Sequence, residues 1–323
     1  MSAITDNLNS SLNAEIPSKT ILLDTFDNKK LNVHVWDNCL NKPRFAVVIS
    51  HGMAEHAQRY DDFARFLNSN DIVVIADDHR AHKNSPDGLK GITSGDCFSQ
   101  TVDDMKLLVN YAKEHYSPDV YLLGHSYGSF LSQCFLELYS SELKGCILSG
   151  TAYMKVPLIK LAKVIANVQT AVFGRNKTGH LINKLSFGSY NKPFESQKQK
   201  FAWLSRDKDS VALYESDEYC GFPMSLGFYK SFFNSFSKMY DKRSISINKE
   251  FPILIAVGSN DPVSNNSALA KRLFDFYKTI GLTNVELKIY DGARHEILNE
   301  LNRTEVYHDF LSFLSATQGG LVK

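Results

Sequence analysis

"VYLLGHSYGSF", Val120 to Phe130, decides the fold of this 323-residue chain. Val120-Tyr121-Leu122-Leu123 is an unbroken apolar run of the kind found in strands buried on both faces. It passes directly into G-x-S-x-G, as Gly124-His125-Ser126-Tyr127-Gly128, and then into apolar residues at helical spacing. Alone, the motif is a weak signal; its place between a strand and a helix gives it weight. A strand that turns at once into a helix forces the residue at the turn into a strained backbone conformation. Neighbours without side chains let the helix and the adjacent strand come close. Ser126 then stands at a helix N-terminus, where developing negative charge is favoured.

A serine hydroxyl is a poor nucleophile until a base takes its proton. "GSNDPVS" places Asp261 just after the apolar run Pro252–Gly258, and "YDGARHEILNE" places His295 after Val285–Asp291. Both follow strand C-termini, as Ser126 does, in the order nucleophile, acid, base. Ser126, Asp261 and His295 are therefore the expected catalytic residues. Asp291 is a rival acid, set behind Asp261 because it lies so close to His295 along the chain.

The surrounding pattern supplies a scaffold. "KTILLDTF" and "KLNVHVW" alternate and flank a turn-like "DNKK", which predicts an antiparallel pair. Phe45–Ser50, Ile72–Asp77, Val120–His125, Cys146–Gly150, Pro252–Gly258 and Val285–Asp291 read as strands. Helical spacing is predicted over Tyr60–Leu67, Thr101–Tyr116, Tyr127–Tyr139, Ser267–Ile280 and Glu300–Leu314. Strands alternating with helices mean an α/β fold: a mostly parallel sheet covered on both faces. The rhythm breaks from Thr151 to about Ile247, too long for a loop in a compact domain. The expected organisation is a flexible arm at 1–17, a core at 18–150 and 248–323, and a helical cap inserted at 151–247.

A composition of 43% hydrophobic and 22% charged residues suits a globular protein, and a net charge of +1 argues against a dedicated nucleic-acid binder. Five cysteines without metal-like spacing point to a reducing compartment. No secretory h-region or membrane-length apolar run appears, so a cytoplasmic location is expected.

Together, "HGMAEHAQRY", "DHR", "GHSYG", "GSNDPVS" and "RHEILNE" make the chain resemble the α/β-hydrolases, and within them the monoacylglycerol lipase and lysophospholipase group of serine hydrolases. The resemblance spans His51 to Glu300. It implies that the backbone N–H groups of Met53 and Tyr127 form the oxyanion hole and that no cofactor is needed. Members of this group often read "DHRGHG" where this chain has "DHRAHK", Asp78 to Lys83, so another turn shape is expected there.

Metal readings fare worse. His51 and His56 do not share a helical face, and His79 and His82, beside Asp77 and Asp78, lack a distant third ligand. No metal is expected, and no nucleotide motif is present. Glu55, His56 and Arg59 read as supporting or helix-start residues.

In the insert, Leu158, Leu161, Val164, Ile165, Val168 and Val172 share an apolar arc, part of which should pack on the core. Leu158, Phe222, Met224 and Phe228 are candidate substrate-binding residues. Ten lysines and arginines between Ala152 and Arg206 are opposed by Glu195 alone, which suggests peripheral contact with anionic lipid aggregates. The expected partner is a small-molecule or lipid ester substrate. Two alternatives stand: an aminopeptidase of the proline-iminopeptidase type, whose cap needs acidic residues to grip an amine, and a ligand-binding receptor with an idle triad.

Overall fold

Alternation inside the apolar runs builds two cores at once. The computed structural model describes residues 18–86, 89–154, 157–236, 238–241 and 245–318; the expected arm at 1–17 lies outside them. β3 (Phe45–Ser50), β4 (Ile72–Asp77), β5 (Val120–His125) and β7 (Ile253–Gly258) are buried at every position. Successive strand side chains point to opposite faces. Ala46, Val48, Val73, Ile75 and Leu122 enter one core, while Phe45, Val47, Ile49, Val74 and Leu123 enter the other.

With β1 (Lys19–Asp24), β2 (Lys30–Trp36), β6 (Gly145–Ser149) and β8 (Val285–Tyr290), these strands form one eight-stranded sheet in the order β1-β2-β4-β3-β5-β6-β7-β8. β1 and β2 are antiparallel, as expected, and β2 meets β4 antiparallel; every other pairing is parallel. The first core is closed by α2 (Cys97–His115), α3 (Tyr127–Tyr139) and α8 (Ala268–Thr279). The second is closed by α1 (Asp61–Asn68) and α9 (Arg303–Gln318).

α2 begins four residues before the expected Thr101. The Ser231 hydroxyl, distant in sequence, accepts the Phe98 N–H at 2.9 Å and donates to Asp96. A tertiary cap thus extends the helix beyond what local spacing reveals.

Between β6 and β7 the chain forms α4 (Pro157–Phe173), α5 (His180–Phe187), α6 (Lys208–Ser216) and α7 (Leu226–Phe236). α4 lies on α7, but not through the expected arc. Leu161, Val164, Val168 and Val172 are all more than half exposed, while Ala166 and Thr170 are buried and Asn167 bonds Asn234. Ile165 alone of the described arc residues packs against the core; the side chain of Leu158 lies outside the described residues. Small side chains let the two helices approach, Ile159 and Ile165 pack against the core, and Leu161, Val164, Val168 and Val172 are left outside. Among the described residues no helix is long and apolar enough to cross a membrane.

One buried charge cluster ties the first hairpin to the sheet. Arg80, fully buried, donates to Asp104 at 2.6 Å and 2.9 Å and to Asp27 at 2.8 Å and 2.9 Å. Arg80→Met leaves the Asp104 carboxylate buried without its cation. The expected outcome is a loss of about 3 kcal/mol or more, read as a lower urea midpoint at unchanged slope.

Candidate active site

Ser126 links β5 to α3 with φ 52° and ψ −116°, a conformation that costs a non-glycine residue about 1–3 kcal/mol. The surroundings enforce it. Ser126 donates its N–H to the Ser149 carbonyl at 3.0 Å, and its own carbonyl accepts from Ser129 at 2.9 Å and Phe130 at 3.2 Å. A Cβ on Gly128 would come 1.9 Å from the Ser50 carbonyl oxygen, and one on Gly124 would come 2.5 Å from the Gly128 oxygen. Both glycines of the motif are therefore required by close backbone approach.

Asp261 follows β7 and His295 follows β8; both are buried. His295 Nδ1 lies 3.0 Å from Asp261 Oδ1. An ionised carboxylate can only accept, so Nδ1 carries the proton and Nε2 keeps its lone pair. The same Asp261 oxygen accepts the Val263 N–H at 2.9 Å, and the Asp261 carbonyl accepts from Asn266 and Ser264, which pins the acid. The rival Asp291 is exposed and faces Ser259 instead. Among the described residues, His295 Nε2 and Asp261 Oδ2 have no hydrogen-bond partner.

Ser126 and His295 line one cavity of about 410 Å³ with Met53, His125, Trp203, Tyr214 and Phe222. Insert residues His180, Asn183 and Phe187 complete its wall. In the loop after β3, Gly52 donates its N–H to Glu55 and Ala54 donates to His82 Nε2 at 3.0 Å. The Met53 N–H between them has no protein acceptor among the described residues. The Tyr127 ring does not narrow the cavity: it is buried against Phe228 and His82. Met224 and Phe228 are likewise fully buried and absent from the lining, which corrects their expected contact with substrate. Their side chains complete the aromatic core under α3 instead. Phe222 does reach the cavity.

Residues 41–302 match the family described as serine aminopeptidase, S33. The chain belongs to that family. Over 277 residues this α/β-hydrolase is 28% identical to the monoacylglycerol lipase of Mycolicibacterium smegmatis, covering 84% of this chain and 88% of the relative. It is equally, at 28%, identical to the monoglyceride lipase of Homo sapiens, over 84% of this chain and 83% of that protein. In fold it is similar to a thermostable carboxyl esterase from Bacillus coagulans, with a TM-score of 0.82 at 24% identity over 94% of this chain and 99% of that one. A monoacylglycerol lipase from Paleococcus ferrophilus superposes with a TM-score of 0.69 at 22% identity, over 89% and 99%.

In this hydrolase the histidines that suggest a metal brace a loop instead. His51 Nε2 accepts the His79 N–H at 2.9 Å, and His79 bridges Asp77 and the Ser50 hydroxyl. Burial drives the His51 pKa well below its usual value and that of His82 down to about 4, so both rings are neutral acceptors at physiological pH. Ala81, in the turn after β4, sits at φ 68°. That left-handed conformation costs a residue with a side chain about 1–2 kcal/mol. Lys83 turns to Gln58 and to His56, 3.5 Å from Nδ1.

Among the described residues, one further group gathers metal-type ligands: His56, Asp217 and Cys220, with donor atoms within 4.8 Å of one another. Its hydrogen bonds oppose a cation. The Lys83 ammonium can only donate, so His56 Nδ1 accepts, and Nε2 spends its proton on Asp217 at 2.8 Å. In that tautomer Nε2 presents a hydrogen, and the Lys83 ammonium stands beside the group.

Sequence reasoning missed Trp203, Tyr214 and Glu296. Trp203 packs on the His295 ring, with centroids 5.1 Å apart. Nothing in the local pattern marks Trp203 or Tyr214, which reach the cavity only through the folding of the insert; Glu296 stands beside His295 in "RHEILNE", but its partner is set by the folding of the last loop.

Burial pulls the His295 pKa down, but the Asp261 carboxylate, by charge and hydrogen bond, with Glu296 and Glu55, more than reverses this. The ring is held above its ordinary value of about 6.5. Its contribution to stability is therefore complete below about pH 6.5 and lost as pH rises through the raised value. Nitrogen-detected NMR titration of the His295 ring is expected to give a midpoint above 6.5, and Asp261→Asn is expected to lower it.

Proposed function

We propose that this hydrolase is a serine carboxylester hydrolase cleaving single-chain lipid esters, such as monoacylglycerols or lysophospholipids. The observation that carries the reading is the strained Ser126 sharing an apolar cavity with His295, whose far nitrogen is held by Asp261. Ser126 Oγ attacks the ester carbonyl carbon as His295 Nε2 takes its proton. The carbonyl electron pair moves onto oxygen, which the Met53 and Tyr127 N–H groups stabilise, each by about 3 kcal/mol. Collapse expels the alcohol, protonated by His295, and leaves an acyl-serine. Water, deprotonated by His295, then releases the fatty acid. Asp261 holds the imidazole in the required tautomer. Apart from the hydrolytic water, each step draws on the chain's own residues.

The substrate class rests on the lining, which is mainly apolar, and on a volume within the roughly 300–1,000 Å³ of small-ligand pockets. The lipase names of the relatives favour the same class. Residues 151–247 act as a cap over the core at 18–150 and 248–323, a division supported by insert residues lining the cavity that holds Ser126. Five free cysteines support a reducing, cytoplasmic setting.

The family description raises the peptidase reading again. A substrate amine needs a carboxylate free to hold it. The carboxylates in the lining, Glu55 and Glu296, are both already bound to the Arg59 guanidinium. That observation favours the ester.

Leu161, Val164, Val168 and Val172 of α4 are exposed, and so are Leu181 and Leu185 of α5. Set in a lysine-rich insert, these residues suit peripheral contact with anionic lipid aggregates. Vesicle sedimentation at low salt is expected to show stronger binding to anionic than to neutral vesicles; equal binding overturns this contact.

Ser126→Ala is expected to lower p-nitrophenyl ester turnover by roughly 10⁶-fold while the folded structure persists. Fluorophosphonate labelling at Ser126 separates the enzyme from the idle-triad receptor. An unlabelled, inert wild-type protein would favour the receptor.

A further inference from the structure

The oxyanion loop and the base loop leave the sheet at strands that do not touch. β3 and β8 are separated by β5, β6 and β7, so no direct backbone ladder joins them or the loops that follow them. A buried bridge spans the gap instead. Arg59, in the short turn Ala57–Tyr60 before α1, donates Nη1 to Glu55 and grips Glu296 with both Nη atoms, at 2.6 Å and 2.7 Å. The side chains of Arg59, Glu55 and Glu296 are 12%, 4% and 5% exposed.

Each carboxylate is anchored in turn to a loop that the proposed chemistry uses. Glu55 Oε1 accepts the Gly52 N–H, one residue before Met53, and the Tyr60 hydroxyl at 2.9 Å. Glu296 adjoins His295, accepts from Asn299 at 3.0 Å, and donates its N–H to the Leu204 carbonyl at 2.8 Å. The insert closes on the same bridge. The Arg59 guanidinium lies 4.7 Å from the Tyr214 ring centroid, and the Tyr214 hydroxyl donates to the Ala54 carbonyl at 2.9 Å.

We infer that Arg59 is a positioning residue, holding the oxyanion loop and the His295 loop in register across the strand ends through Glu55 and Glu296. This rests on the esterase reading above. A planar guanidinium suits the task because it meets two carboxylates at once with fixed geometry, which a lysine ammonium does not do. The bridge also carries one net negative charge beside the base. The groups set against His295 are Asp261 from the β7 loop, His125 from β5, Glu55 from the β3 side, Trp203 from the insert, and Glu296 from its own loop, with Arg59 bound between the two glutamates. His125 is neutral, its pKa brought down to about 4 by burial and by His295. Arg294 is turned away to Gln197 and to the Ala202 and Ser205 carbonyls.

Glu296→Gln keeps the size of the side chain and an acceptor for Arg59 while removing one charge. With a p-nitrophenyl ester, kcat is expected to fall roughly ten- to a hundredfold with KM nearly unchanged. The acid limb of the pH–rate profile is expected to move to lower pH, because His295 loses a negative neighbour. Arg59→Lys is expected to retain more activity than Arg59→Ala, as partial rescue by the conservative change. A folded Glu296→Gln with unmoved kcat and unmoved acid limb overturns the inference while wild-type turnover keeps the esterase reading. An inert wild type overturns the esterase reading instead. NMR titration of His295 then still decides the bridge: a lowered midpoint in Glu296→Gln supports it, and an unchanged one sinks it.

Discussion

The Ser50 carbonyl oxygen occupies the space in which a side chain at residue 128 would begin. That contact, backbone against backbone at 1.9 Å from a hypothetical Cβ, lets α3 sit directly over the end of β3. Much of the site depends on it. The helix N-terminus lands beside the loop that follows β3, so Tyr127 and Met53 come to neighbouring strand ends. Ser126 is left between them in a conformation that only a tightly packed turn can impose. Any side chain at 128 would have to push helix and strand apart, and the amides of the two elements would separate with them.

Around this contact the protein buries several charged and polar side chains that hold loops in place. His51, His79 and His82 tie the loop after β3 to the turn after β4. Arg80 fastens that turn to α2 and to the first hairpin. Arg59 joins the β3 and β8 loops. Buried charges of this kind contribute little net stability, since desolvation offsets most of the attraction. They do select one arrangement among many, because any other leaves a charge unpaired. Loops that carry chemistry need that selectivity more than they need depth of burial.

The core was legible because its signals are local. Phe45–Ser50, Ile72–Asp77 and Val120–His125 read as strands to the residue, since an apolar run of that length with strand-forming residues has few other uses. The pairing of Asp261 with His295 was also legible, each lying just past a strand. The insert was not. Its α4 arc reads as an ordinary packing face, yet the large residues point outward and Ala166 and Thr170 meet α7. Helical periodicity shows that a stripe exists, not which neighbour covers it. Met224 and Phe228 failed as lining residues for the same reason: composition places aromatics over a site, but packing decides which of them reach it.

By itself, the sequence determined the α/β architecture, the order of the strands along the chain, and Ser126, Asp261 and His295 as residues at strand ends. Backbone stiffness and side-chain periodicity act over a few residues, so a few residues suffice to read them. Only the tertiary structure decided that Glu296 shares Arg59 with Glu55, that Trp203 packs on His295, and that His56 Nε2 donates a hydrogen bond to Asp217. These contacts join residues up to 237 positions apart. Their energies depend on burial and on the exact meeting of donors and acceptors, which no short stretch of sequence records.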